Sequence, residues 1–147
     1  MMRRNAELNK SSLTNCDFQV MELDFFWEKF PDCVIKQLEA CNIILAADVV
    51  YDKTITFHFF KTLKLILSMS PKTAFIAIEK RKHAGNNGEI IAPNFEIFLE
   101  CLSNLNGINL NSNLKVSVSN IPITFKQYFS YSRVSELELF KVWTEFI

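Results

Sequence analysis

The run Ile43-Ile44-Leu45-Ala46-Ala47-Asp48-Val49-Val50-Tyr51-Asp52 restricts the fold of this 147-residue chain more than any other stretch. Seven of its ten residues are aliphatic. A short apolar run rich in β-branched residues reads as a strand buried on both faces of a sheet. Two acids and a tyrosine close it. Ligands of open α/β sheets sit just outside the carboxyl ends of such strands, so this polar cluster lies where chemistry is expected.

The flanking pattern is that of one α/β domain over residues 1–147. Residues 3–9 read as the end of a helix, and Ser11, Ser12, Thr14 and Asn15 as a loop. Residues 18–23 read as a strand that ends at Asp24 and runs into Phe25-Phe26-Trp27. Pro31 and Asp32 break the chain before a short helix over 34–40 and the strand over 43–50. Asp52 or Thr54 caps the next helix, on which Ile55, Phe59, Leu63 and Leu67 recur at helical spacing before Pro71. A second strand covers 73–79, and strand, helix, strand with short connections is a βαβ unit with parallel strands. After a polar loop from Lys80 to Gly88, Asn94 starts a helix that ends at Asn106-Gly107. Leu114, Val116 and Val118 alternate with polar residues, as Leu137 and Leu139 do with Glu136 and Glu138. With no helix between them these strands are expected to pair antiparallel at one sheet edge, with a bulge or a change of face at Lys141.

Composition excludes several classes. A chain that is 49% hydrophobic and 22% charged is not disordered. Sixteen basic and sixteen acidic residues leave no net field, which argues against broad nucleic-acid binding. Gly85-x-x-Gly88 beside Lys80 to His83 has the look of a K-homology loop, but a strand precedes it where a helix belongs. No apolar run approaches the roughly 20 residues that span a bilayer, and no apolar signal core follows the basic N-terminus. An intracellular protein of the nucleus and/or cytoplasm is expected. Cys16, Cys33, Cys41 and Cys101 are scattered and read as reduced thiols without zinc-ligand spacing, so no metal site is expected. His58 reads as a satisfied packing histidine and His83 as solvated. Gly85, Gly88 and Gly107 are the three glycines, and neither a G-x-G-x-x-G nor a phosphate-loop motif occurs.

Several motifs together resemble one family. Asn5-x-x-x-Asn9 is similar to the helix after its second strand, and Glu22-Leu23-Asp24-Phe25 to its Leu-Asp-Trp motif, with Phe25 in the Trp place. Ala47 to Asp52 resembles its Asp-x-x-Tyr motif, Glu79-Lys80-Arg81 the end of the following strand, and Tyr128-Phe129 to Trp143 its last hairpin. The family is the seven-stranded, S-adenosylmethionine-dependent protein-lysine methyltransferases, and the resemblance is to their C-terminal part.

The resemblance implies a fold: an incomplete Rossmann-like methyltransferase sheet that lacks the first two strands and their Gly-rich loop, with an antiparallel C-terminal strand pair. The strand over 43–50 then shows an open apolar edge. It also implies S-adenosylmethionine as cofactor and a protein presenting a lysine as partner. Asp48 and Tyr51 would orient the amine, while Asp24, Phe25 and Ala47 would flank the cofactor. Methyl transfer needs a neutral amine held in line with the methyl, and desolvation favours that form. Without the Gly-rich loop the chain alone is expected to be inactive, with a missing N-terminal half or a partner covering the open edge. The alternative is a non-catalytic remnant acting as a protein-interaction module. Bland readings stand beside these roles: Asp48 as an orienting acid, Asp52 as a helix cap, Tyr51 and Phe25-Phe26-Trp27 as core. Glu79 either faces the cleft or pairs with Arg81, and Lys80 to Lys82 form a solvated turn.

Overall fold

Parallel pairing of the two apolar runs forms one side of the main sheet. In chain order the elements are α1 (Met2–Leu8), a 3-10 turn (Lys10–Ser12), α2 (Asp32–Ala40), β1 (Ile43–Ala47), α3 (Lys53–Leu67) and β2 (Thr73–Glu79). They continue with β3 (His83–Ala84), β4 (Ile90–Ile91), α4 (Pro93–Leu105), β5 (Asn109–Leu110), β6 (Leu114–Asn120) and β7 (Leu137–Phe146). The structure is a computed structural model that describes residues 2–12, 16–85, 89–111 and 113–147. Thr14 and Asn15 of the expected loop, and Asn86, Asn87 and Gly88, lie outside the described residues.

β1 and β2 run parallel, with Ile43 opposite Thr73 and Ala47 opposite Ala77. Their connection is α3, which starts where expected: Asp52 accepts at Oδ1 from the Ile55 N–H at 2.9 Å. Among the described residues the main sheet has the order β1-β2-β7-β6-β5, and β3 and β4 form a separate antiparallel pair. A mixed sheet flanked by helices resembles a Rossmann-like fold. The expected β6–β7 antiparallel pair is present, but β7 lies inside the sheet, antiparallel to β2 as well. No bulge occurs at Lys141, which sits in register with Phe75 on one side and Ser119 on the other. The alternation that matters is that of Phe140, Val142 and Thr144, all buried. Lys141 shares the other face with Leu139 and Trp143, its ammonium 4.7 Å from the Trp143 ring centre.

The register divides the sheet into two unlike faces. One carries Ala74, Ile76, Ile78, Phe140, Val142, Leu114 and Val116, which pack with α3 (Phe59, Phe60, Leu63, Leu67) and α4 (Phe95, Phe98, Leu102). A ring series runs through this core: Phe25–Phe59 at 5.6 Å, Phe59–Phe60 at 5.4 Å, Phe60–Phe98 at 5.4 Å and Phe98–Phe140 at 5.3 Å. Beside it α2 contributes Val34 to a smaller cluster with Phe30 and Ile66, against which Trp27 and Ile44 pack. The opposite face bears Ile43, Leu45, Phe75, Ala77, Leu139 and Trp143, and none of them is buried.

Three further sequence expectations change. β1 ends at Ala47 rather than at Val50, because Asp48 takes the left-handed conformation (φ 52) and turns the chain out of the sheet. Asp tolerates that conformation better than most residues. β1 is also not buried on both faces, with Ile43 60% and Leu45 80% exposed, although among the described residues it does lie at the sheet edge, where the resemblance puts an open apolar edge. Finally, residues 17–24 form no strand, and Phe18, Met21 and Leu23 are exposed. A strand is stable only when a neighbour accepts its ladder hydrogen bonds, and none lies beside this stretch among the described residues.

Lys72 is a buried cation that sequence reading passed over. It is 3% exposed, and its ammonium donates to Leu38 O and Cys41 O at 2.7 Å each and to Ser70 Oγ at 2.8 Å. The ammonium thus satisfies carbonyls at the C-terminal end of α2, where helix partial charge favours a cation.

Candidate functional site

The carboxyl ends of β1 and β2 bring four polar side chains together. Asp48 N–H donates to Ala77 O at 3.0 Å, the last rung between the two strands. The left-handed turn there leaves the Asp48 carboxylate facing Arg81, just past the end of β2, with Nη2–Oδ2 at 2.6 Å. The same guanidinium lies 3.8 Å from Glu79 Oε2 through Nε, and its centre is 5.8 Å from the Tyr51 ring centre. Glu79 therefore both pairs with Arg81 and borders the adjoining cavity of about 290 Å³, which Tyr51, Arg81, His83, Asn94 and Phe95 also line. Asn94, near the start of α4, fixes the floor by donating to Tyr51 O at 2.7 Å. Side-chain exposures of 48% and 45% leave the Arg81–Asp48 pair wet, worth no more than about 1 kcal/mol.

The stretch after β2 is anchored and is not a freely solvated turn. Lys80 N–H donates to Glu136 O at 2.9 Å, and its ammonium sits 5.3 Å from the Phe95 ring centre. Lys82 Nζ donates to Glu136 Oε1 at 3.2 Å. Hydrogen bonds from the Ser135 hydroxyl and then from Lys82 hold the Glu136 carboxyl below its ordinary pKa.

The remaining expected site residues lie elsewhere. Asp24 Oδ1 accepts from Phe26 N–H at 2.9 Å, closing a local Asx turn. Phe25 packs edge-on against Phe59, and its carbonyl accepts from Thr62 Oγ1 at 3.3 Å. Ala47 is the exposed last residue of β1. The structure thus unites Asp48 and Tyr51 through Arg81, while Asp24 is engaged in its own turn and Phe25 is tied to α3, and none of Asp24, Phe25 and Ala47 lines the cavity. His58 stacks on Phe26 at 4.1 Å, but its buried Nδ1 finds no partner among the described residues, where a satisfied packing histidine was expected. Arg81, Asn94 and Glu136 complete the geometry. Arg81 has its signal in sequence, the polar run directly after an apolar strand, whereas Asn94 and Glu136 lie outside that run.

The described residues do not make up a cradle for a whole nucleoside cofactor. Asp24 is engaged by its own loop and Phe25 is held edge-on by the core. Of the described glycines, Gly85, just after β3, donates to Glu89 O at 2.7 Å, and Gly107 (φ 78) follows the end of α4. Strands on both sides of Gly85 also depart from the helix-flanked K-homology arrangement. Among the described residues no group of three or more His, Cys, Asp or Glu is placed to hold a metal. No helix there is long and apolar enough to cross a membrane.

Residues 1–88 match the family described as lysine methyltransferase. Methyltransferase-like protein 22 of Homo sapiens is 29% identical over 107 residues, which are 71% of this chain and 26% of the relative. The chain thus spans about a quarter of the length of that curated relative. The match covers more than half of the sequence, including both strands whose carboxyl ends carry Asp48, Tyr51, Glu79 and Arg81, and the chain belongs to the lysine methyltransferase family.

Proposed function

We propose that this chain is the substrate-side part of an S-adenosylmethionine-dependent protein-lysine N-methyltransferase of the nucleus or cytoplasm, inactive by itself. One observation carries the reading. Asp48, Glu79 and Tyr51 converge on a single cation, the Arg81 guanidinium, at the carboxyl ends of two parallel strands. A lysine ammonium needs the same partners: a carboxylate to accept its hydrogen bonds and a ring face for its charge. The ring contact is worth about 1–2 kcal/mol once water is excluded. An arriving lysine takes over the place of Arg81 on Asp48.

Inactivity follows from exposure. A carboxylate beside an amine favours its protonated form, whereas transfer needs the neutral one. Only desolvation reverses that preference, and Tyr51 is 57% exposed. Covering residues have to come from beyond those described here. Asp24, Phe25 and Ala47 are proposed as one wall of the cofactor site, which the missing strands of the family sheet would complete. Two facts support this: the bare face and open edge of β1, and a relative of which the chain spans about a quarter.

The second reading, a protein-interaction module without catalysis, is favoured by that same edge, since Ile43 and Leu45 offer an apolar strand ready for pairing. Titration calorimetry with the 147-residue chain separates the two. Under the first, a short lysine peptide binds weakly, its norleucine counterpart does not, and S-adenosylmethionine gives no saturable heat. Equal binding of the lysine and norleucine peptides sinks the amine site and leaves the module.

A further inference from the structure

The connection between β6 and β7, residues 121–136, is not absorbed by the amine cluster, yet it rises from the same edge. Glu79 at the end of β2 stands opposite Leu137, and Asn120 at the end of β6 stands opposite Phe140. The connection therefore leaves and re-enters the sheet at the carboxyl end of β2. Its base is fastened to the residues beside Arg81 through the Lys80–Glu136 backbone bond and the Lys82–Glu136 pair.

The loop is shaped rather than slack. Gln127 Nε2 donates to Phe129 O at 2.6 Å and to Tyr131 O at 2.5 Å. Arg133 Nη1 donates to Ile123 O and Phe125 O at 3.5 and 3.4 Å, with its guanidinium 5.2 Å from the Phe125 ring centre. These bonds hold the backbone while Tyr128 (89%) and Phe129 (80%) stand almost fully in water, and Phe125 and Tyr131 are about half exposed. Long loops with internal order are usually functional, and clustered exposed aromatics are the side chains that anchor partners.

We infer that Tyr128 and Phe129 form a docking surface for an extended segment of the protein that carries the target lysine, gripping apolar side chains next to that lysine. This rests on the amine-site reading above, since continuity with the Asp48–Arg81 cluster identifies the occupant. A membrane surface is the other chemistry that suits exposed aromatic side chains. The loop offers little for it: Lys126 and Arg133 are its two cations, and Arg133 is spent on backbone carbonyls. The loop that carries the rings and the Asp48 turn lie at the same end of the sheet.

Fluorescence anisotropy with short dye-labelled peptides tests this on the whole chain. Three probes are used: a central lysine flanked by leucine and isoleucine, the same peptide with norleucine for lysine, and the lysine peptide with serine flanks. The apolar-flanked lysine peptide is expected to bind. The double variant Tyr128→Ser, Phe129→Ser should weaken it about tenfold or more, as for loss of an aromatic anchor. The serine-flanked peptide should bind weakly to wild type and variant alike. Both positions are exposed, so thermal melting should show an unchanged fold. If flanks and rings matter but norleucine binds as well as lysine, the docking surface stands and the amine reading falls. Equal binding of the apolar-flanked peptide to wild type and variant overturns the docking surface. So does no binding to wild type, or binding only to phosphatidylcholine–phosphatidylserine vesicles.

Discussion

Asp48 does two separate things, and substitutions separate them. Its left-handed backbone ends β1, and its carboxylate holds Arg81. Asn tolerates φ 52 as Asp does, so Asp48→Asn should change stability by less than about 1 kcal/mol in urea unfolding. It should nevertheless weaken the binding of a lysine peptide. Asp48→Val removes both roles and adds a conformational penalty of about 1–2 kcal/mol. Lys72 makes the opposite case, structural and remote from the site. Lys72→Met leaves the Leu38 and Cys41 carbonyls without their ammonium, and urea unfolding should show a loss of about 1.5–3 kcal/mol. The cap formed by Asp52 was legible in the sequence because its partner, Ile55, is three residues away. Lys72 was not, because its partners on α2 lie more than thirty residues back along the chain.

Elements divide the same way. α3 was legible because a helix makes its hydrogen bonds within itself and announces its buried face by spacing. A strand borrows its partners, so residues 18–23 have the pattern of one and the structure of none. The tie between the loop 121–136 and β2 could not be read either, since it joins Lys80 and Lys82 to Glu136 across more than fifty residues. Its pH dependence has a definite sign. The Glu136 carboxyl titrates below its ordinary 4.5 in the folded chain, because Ser135 and Lys82 favour its ionised form. A depressed carboxylate stabilises above the unfolded value and loses that contribution as pH falls through the folded one. Hydrogen exchange at the Lys80 amide should therefore lose protection in acid below that ordinary value, and Glu136→Gln should flatten the dependence.

At the scale of the whole molecule the sheet is covered on one face and bare on the other. Helices α2, α3 and α4 all serve the face of Ile76 and Val142, so Leu45 belongs to a surface. Leu45→Lys should then shift unfolding free energy by no more than about 0.5 kcal/mol, as exposed substitutions do. It should also reduce self-association in sedimentation velocity, because a charge on an edge strand opposes pairing. A strand buried on both faces, as its composition alone suggests, would instead lose several kcal/mol on gaining a lysine. The division of labour proposed here joins these scales: β1 and β2 present an amine, and residues beyond those described cover it. Mapping amide shifts of the isotope-labelled chain during titration with a lysine peptide tests that directly. Shifts confined to Asp48, Tyr51, Glu79, Arg81 and the loop 121–136, and lost with norleucine, are the expected result. Shifts centred on Ile43 and Leu45, or unchanged when norleucine replaces lysine, would contradict it.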